Sequence, residues 1–156
     1  MAEPLDVCAA VVLNQRRLLL ATRRPGSHLA GKWEFPGGKK EEHETLVDCI
    51  RRELKEELAL DIERAFPLFH ILHVYPEKTI RLHFMECIPT TDAAPCPTEG
   101  QLADWFSPTQ FPLLDWVPAD KRIILWLKDL HNSSLAGLTL IDPIRTEQLA
   151  RTLFPA

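Results

Sequence analysis

The stretch from Gly38 to Leu60 constrains this chain more than any other part of it. Glu53, Glu56 and Glu57 stand at i, i+3 and i+4, positions that are neighbours on a helix surface. Glu44 to Leu58 holds no Gly or Pro and is rich in Leu, Glu, Lys and Arg, which are good helix formers, so a helix is predicted there. At roughly 100° per residue, Val47, Ile50, Leu54 and Leu58 fall on one apolar stripe and the glutamates on an adjoining arc. One edge of such a helix can pack into a core while the other faces a cleft. Carboxylates this close repel one another unless a cation is present. A hard divalent ion with oxygen ligands is the natural cation, and it points to phosphate chemistry. The plainer alternative is a solvated acidic face paired with Arg51, Arg52 and Lys55, the usual meaning of such a helix. The Gly37-Gly38 turn just upstream, where a backbone without Cβ can approach a ligand, favours the ion site.

The rest of the chain reads as a mixed sheet with helices on either side. Val7 to Leu13 is a nearly continuous apolar run, expected to be a buried strand. A turn at 14–16 leads to a second strand over 17–24, a loop over 25–32 and a short strand at 33–35. Residues 66–74 and 79–88 are β-like and separated by Tyr75-Pro76-Glu77-Lys78, which predicts a hairpin. A loop over 90–100 precedes a strand at 102–106. Pro118 is suited to the first position of a helix over 119–130. Residues 143–153 are compatible with a short helix.

The spaced pattern from Gly38 through Glu44 and Arg52-Glu53-Leu54 to Glu56-Glu57 and Leu60 resembles the signature of the Nudix hydrolases, in their MutT-like branch. The one departure is Ala59, where the pattern has Gly. That Gly would end the helix in a left-handed turn, which Ala can enter at about 1 kcal/mol. The resemblance covers roughly residues 5–130 and implies an α/β fold, a Nudix-type α/β/α sandwich with a mixed sheet. It leaves a C-terminal extension of about 131–156. It implies a magnesium-dependent nucleoside triphosphate pyrophosphohydrolase, with manganese as the alternative ion, and 8-oxo-dGTP as the first substrate to expect. Within the same class, (d)CTP or a modified dCTP is the alternative. A non-catalytic nucleotide-binding module of the same fold would be expected to lose metal carboxylates, and this chain keeps them.

The resemblance also implies roles residue by residue. Glu53, Glu56 and Glu57 would be metal ligands, joined by a carbonyl near Gly37 or Gly38. Arg52 would hold Glu53. Glu44 either reaches the site or favours the positive helix N-terminus. Glu99, in a Glu-Gly-Gln segment matching MutT-like enzymes, is a candidate for a further metal ligand or the general base. Arg23 and Arg24 end a strand beside the glycines, placed for phosphate oxygens or for solvent. Glu34 and Phe35 lie in a segment resembling the one that approaches the nucleotide, though a core Phe is an equal reading. Lys39 could meet phosphate or solvent, and His28 matches a residue of the same family loop. Asp120 stands where MutT presents a base-reading Asn. An ionised Asp only accepts hydrogen bonds, which bears against strict 8-oxoguanine selectivity. Its other reading is a carboxylate favouring a helix N-terminus.

At 156 residues the chain is expected to be one domain. A net charge of −4 and the lack of a basic run argue against a nucleic-acid polymer as partner, while a nucleotide remains compatible. Monomer and homodimer are both open. Cys8, Cys49, Cys87 and Cys96 form no CxxC pair and are expected to be free thiols in a reducing, cytoplasmic compartment. No apolar stretch reaches the roughly 18 residues of a membrane span, and no signal peptide is indicated.

Overall fold

The computed structural model describes residues 3–92 and 94–155. Of the loop expected over 90–100, Ala93 lies outside the described residues. Nine strands, three α-helices and a short 3-10 helix, Pro108–Leu113, are assigned among them: β1 Leu5–Val11, β2 Leu13–Asn14, β3 Arg17–Thr22, β4 Trp33–Glu34, β5 Gly37–Lys39, α1 Leu46–Leu58, β6 Ile62–Val74, β7 Thr79–Pro89, β8 Ala103–Phe106, α2 Pro118–Lys128, β9 Leu138–Leu140 and α3 Pro143–Leu153. The main sheet has the order β5-β1-β7-β6-β9. It is mixed, because β1 runs parallel to β7 while the other pairs are antiparallel. In the second sheet β3 pairs with β2, β4 and β8.

Successive residues of a strand point to opposite faces, and β1 shows how this divides the molecule. Cys8 and Ala10 pack with Cys49, Ile50, Leu54 and Leu58 of α1 and with Met85 and Cys87 of β7. Ala9 and Val11 pack on the other face with Phe69, Phe84, Ile123, Trp126, Leu149 and Leu153. The result is the expected α/β/α layering, with α1 on one side and α2 and α3 on the other.

Three expectations need correction. The first concerns the start of α1. Helix α1 begins at Leu46, not Glu44, because Thr45 is the N-cap and its side chain accepts from the Asp48 N–H at 3.0 Å. Next, Gly37-Gly38 is more than a turn: Gly37–Lys39 pairs antiparallel with β1 as an edge strand. A Cβ on Gly37 would lie 1.8 Å from the Cys8 carbonyl oxygen, so only glycine allows this approach. Finally, the apolar run expected over 7–13 is split, ending β1 at Val11 and starting β2 at Leu13.

The C-terminal segment is part of the fold. Strand β9 pairs with β6 through Phe69–Leu140, His70–Thr139 and Ile71–Leu138. Helix α3 is capped by Asp142, whose side chain accepts from the Arg145 N–H, and it buries Thr146, Leu149, Ala150 and Leu153. Arg145 pairs with Glu86 at 2.7 Å and lies 3.7 Å from the Phe66 ring centroid.

Candidate active site

Helix α1 buries Cys49, Ile50, Leu54 and Leu58, and that stripe fixes which way Arg52, Glu53, Glu56 and Glu57 can face. Ala59 ends the helix at φ 54°, ψ 33°, and its N–H bonds Leu54 O and Lys55 O. The exit is therefore the left-handed one that the departure from Gly put in question. Gly38 lies against the helix, where a Cβ would come within 2.5 Å of the Glu53 carboxylate. Its carbonyl meets the Cys49 thiol at 3.7 Å.

Arg52 organises the acidic side. Its guanidinium forks onto Glu44, with Nε–Oε2 at 2.7 Å and Nη2–Oε1 at 2.9 Å. It also donates to Glu53 at 2.9 Å, Glu56 at 3.3 Å and the Lys39 carbonyl at 3.0 Å. Glu44 therefore reaches the acidic site through Arg52. It accepts from the Glu41 N–H at 2.7 Å and anchors Arg52 from the turn before the helix. The Arg52 bond, above all, holds the Glu44 carboxyl down at about 2. Lys39 is exposed and enters through its backbone carbonyl rather than its ammonium.

Glu57 behaves differently from its neighbours. Burial above all, then the charges of Glu53, Glu34 and Glu99 and a hydrogen bond that the protonated Glu57 carboxyl donates to Glu53, push it up to about 8. Carboxylates from a helix, a strand and a loop thus all bear electrostatically on Glu57. Such a donor set suits a hard divalent cation, and the Glu53 carboxylate occupies the space that a side chain at Gly38 would need. The side chains are turned toward Arg52 and toward each other. Among the described residues, no three His, Cys, Asp or Glu groups converge as a ready-made metal cage.

Glu99 is an exposed loop residue that is nonetheless held by specific partners. Its carboxylate takes Arg24 Nη1 at 2.7 Å, and its N–H donates to Gln101 Oε1 at 2.7 Å. Sequence reasoning assigned nothing to Gln101 or Thr98, although both bond α1 carbonyls. The Glu-Gly-Gln segment was the only signal for Gln101, and nothing marked Thr98.

A second group lies across β4. Arg23 donates to the His28 carbonyl at 2.6 Å and to Glu34 at 3.4 Å. His28 thus contributes its backbone, and its side chain is exposed. Burial raises the Glu34 carboxyl, with Arg23 opposing. Phe35 is a core residue, 3 % exposed, set edge-on to Phe84 at 5.3 Å. Its N–H donates to Asp120 Oδ2 at 3.0 Å. Asp120 itself is 5 % exposed. Burial and the nearby Glu34 raise its carboxyl well above the ordinary range, against the Phe35 N–H and Arg23. A carboxyl that retains its proton can donate as well as accept, so the contrast with Asn narrows.

Residues 3–127 match the family described as NUDIX domain. The chain is 34 % identical over 128 residues to the 8-oxo-dGTP diphosphatase of Escherichia coli (strain K12), spanning 81 % of this chain and 98 % of that protein. It is 33 % identical over 119 residues to the CTP pyrophosphohydrolase of the same organism, 74 % of this chain and 85 % of that protein. The crystal structure of a MutT NUDIX hydrolase from Burkholderia pseudomallei superposes with a TM-score of 0.69 at 25 % identity, covering 80 % of this chain and 97 % of that one.

Proposed function

The chain belongs to the NUDIX domain family, and from that premise we propose a MutT-type pyrophosphohydrolase. It hydrolyses 8-oxo-dGTP and related oxidised deoxynucleoside triphosphates to the monophosphate and pyrophosphate, as nucleotide-pool sanitation. The observation that carries this is the Glu53 carboxylate set against Gly38 and held, with Glu44 and Glu56, by Arg52, next to a Glu57 carboxyl raised by burial and by the charges of Glu53, Glu34 and Glu99.

Glu53, Glu56, Glu57 and Glu99, with a carbonyl at Gly37 or Gly38, would hold magnesium, or manganese in its place. A divalent ion supplies charge neutralisation to the diphosphate and acidifies water. Arg52 aims Glu53 and Glu56, and Glu44 aims Arg52. Arg23 and Arg24 supply guanidinium forks suited to phosphate oxygens. Glu34, paired with Arg23, would line the substrate cleft beside them. Asp120 reads the base, with its carboxyl tethered by the Phe35 N–H. Glu53 and Glu99 are the two candidates for the base that takes a proton from water. The partner is a nucleotide rather than a nucleic-acid polymer, and the setting is cytoplasmic. Among the described residues no helix is long and apolar enough to cross a membrane.

One observation favours a second substrate class. One relative is a CTP pyrophosphohydrolase, and the Asp120 carboxyl, protonated or not, keeps an oxygen that can accept from the exocyclic amino group a cytidine nucleotide presents. A panel of 8-oxo-dGTP, dGTP, dCTP and 5-methyl-dCTP with magnesium, scored by monophosphate and pyrophosphate release, tests both. Preference for 8-oxo-dGTP supports sanitation, and preference for a cytidine nucleotide keeps the chemistry and changes the substrate. If Glu56→Gln turns over at the wild-type rate, the metal site is wrongly drawn.

A further inference from the structure

A helix leaves its last carbonyls without intrahelical donors, and in α1 the 96–101 loop supplies most of them. Leu58 O takes the Cys96 N–H at 2.7 Å, and Glu57 O takes the Thr98 N–H at 3.0 Å. The Thr98 hydroxyl reaches Glu56 O, and Glu57 O at 3.2 Å. These contacts do what any helix cap does. Gln101 differs from them. It is 7 % exposed, and its amide is engaged at both ends: Nε2 donates to Glu57 O at 3.1 Å, and Oε1 accepts from the Glu99 N–H at 2.7 Å. The partners fix the amide's orientation, since a carbonyl only accepts and an N–H only donates.

We infer that Gln101 is a positioning residue, whose planar amide sets the backbone of Glu99 against that of Glu57 so that a loop carboxylate and a helix carboxylate address one divalent ion. The inference rests on the metal-site reading above. Without the amide, the Glu99 backbone would hang on Gly100, at φ +80°, and its carboxylate would follow Arg24. The Arg24 side chain is 64 % exposed, and a pair of that kind holds geometry weakly.

The test uses the intact protein and manganese alone, with affinity read from the relaxation of water protons, and then kcat and KM on the preferred nucleotide. Gln101→Met removes both bonds at similar volume. Gln101→Glu keeps the acceptor and cannot donate to Glu57 O when ionised. Residues supporting metal ligands typically change affinity or activity about 10–100-fold, so both variants should weaken manganese by about that factor. They should lower kcat with little change in KM. Thr98→Val, which strips a cap bond from the same carbonyls, should lower the melting temperature and leave manganese affinity at the wild-type value. Wild-type affinity in both Gln101 variants, with Glu56→Gln weakened, overturns the positioning role alone. Wild-type affinity in Glu56→Gln as well overturns the metal site and the inference with it. If Gln101→Met does not fold, Gln101→Glu decides by the same readouts.

Discussion

Replacing Ala59 with Gly should stabilise this protein, and the size of the effect follows from the backbone. Ala59 sits at φ 54°, ψ 33°, with its N–H bonded to Leu54 O and Lys55 O. The left-handed region costs an L-residue roughly 1–2 kcal/mol that glycine does not bear. Glycine gives back about 0.4–1 kcal/mol through the greater freedom of its unfolded chain. The balance favours Ala59→Gly by about 0.5–1 kcal/mol. The Ala59 side chain is exposed, so losing its methyl opens no cavity. At this length each kcal/mol moves the melting temperature by about 2–4 °C, so the expected rise is about 1–4 °C. Calorimetry in chelator is the assay, because an ion bound to the folded state would add its own stabilisation. The urea midpoint should rise with an unchanged slope, and turnover should stay at the wild-type level. A lower melting temperature for Ala59→Gly would refute the left-handed exit as the reason Gly is favoured there.

Arg52→Gln should move acid unfolding to higher pH. Glu44 is held at about 2 in the fold against an ordinary 4.5, so its contribution is full above 4.5 and is lost as pH falls through about 2. Without the guanidinium that protection goes, with a loss near neutrality of about 1–3 kcal/mol; an acid titration followed by circular dichroism reads it, and an unchanged midpoint contradicts the network. Asp120→Asn should stabilise the fold at neutral and alkaline pH and do little in acid. The folded carboxyl is raised, so stability falls as pH climbs above the ordinary 3.8, while Asn has no proton to lose and can still accept from the Phe35 N–H. Denaturant midpoints at acid and alkaline pH check the sign, and an unchanged ranking of bases by this variant removes Asp120 from the substrate pocket.

Local pattern made part of this legible and long-range packing decided the rest. The apolar stripe of Ile50, Leu54 and Leu58 and the glutamates beside it repeat at helical spacing, and α1 carries them as expected. The helix start was misplaced because nothing between Glu44 and Leu46 breaks a helix by composition; the Thr45 side chain ends it on the N-terminal side through a single bond. Glu44 then lies just ahead of the helix and anchors Arg52. Gly37-Gly38 could not show a period of two, and its strand exists because β1 lies alongside. Glu99 and Asp120 depend on partners far away in sequence: Arg24 and Gln101 for one, Phe35 and Glu34 for the other. The extension follows the same logic. Leu138-Thr139-Leu140 is too short to announce a strand, yet it covers the edge of β6, which would otherwise present unpaired backbone. Leu149 and Leu153 then close the core over Phe69 and Phe84. Residues beyond the family match thus complete the sheet that carries β1 and β7, and β1 in turn carries Gly38 to Glu53. The extension thus adjoins the sheet that carries the acidic site, and none of the site residues named above lies in it.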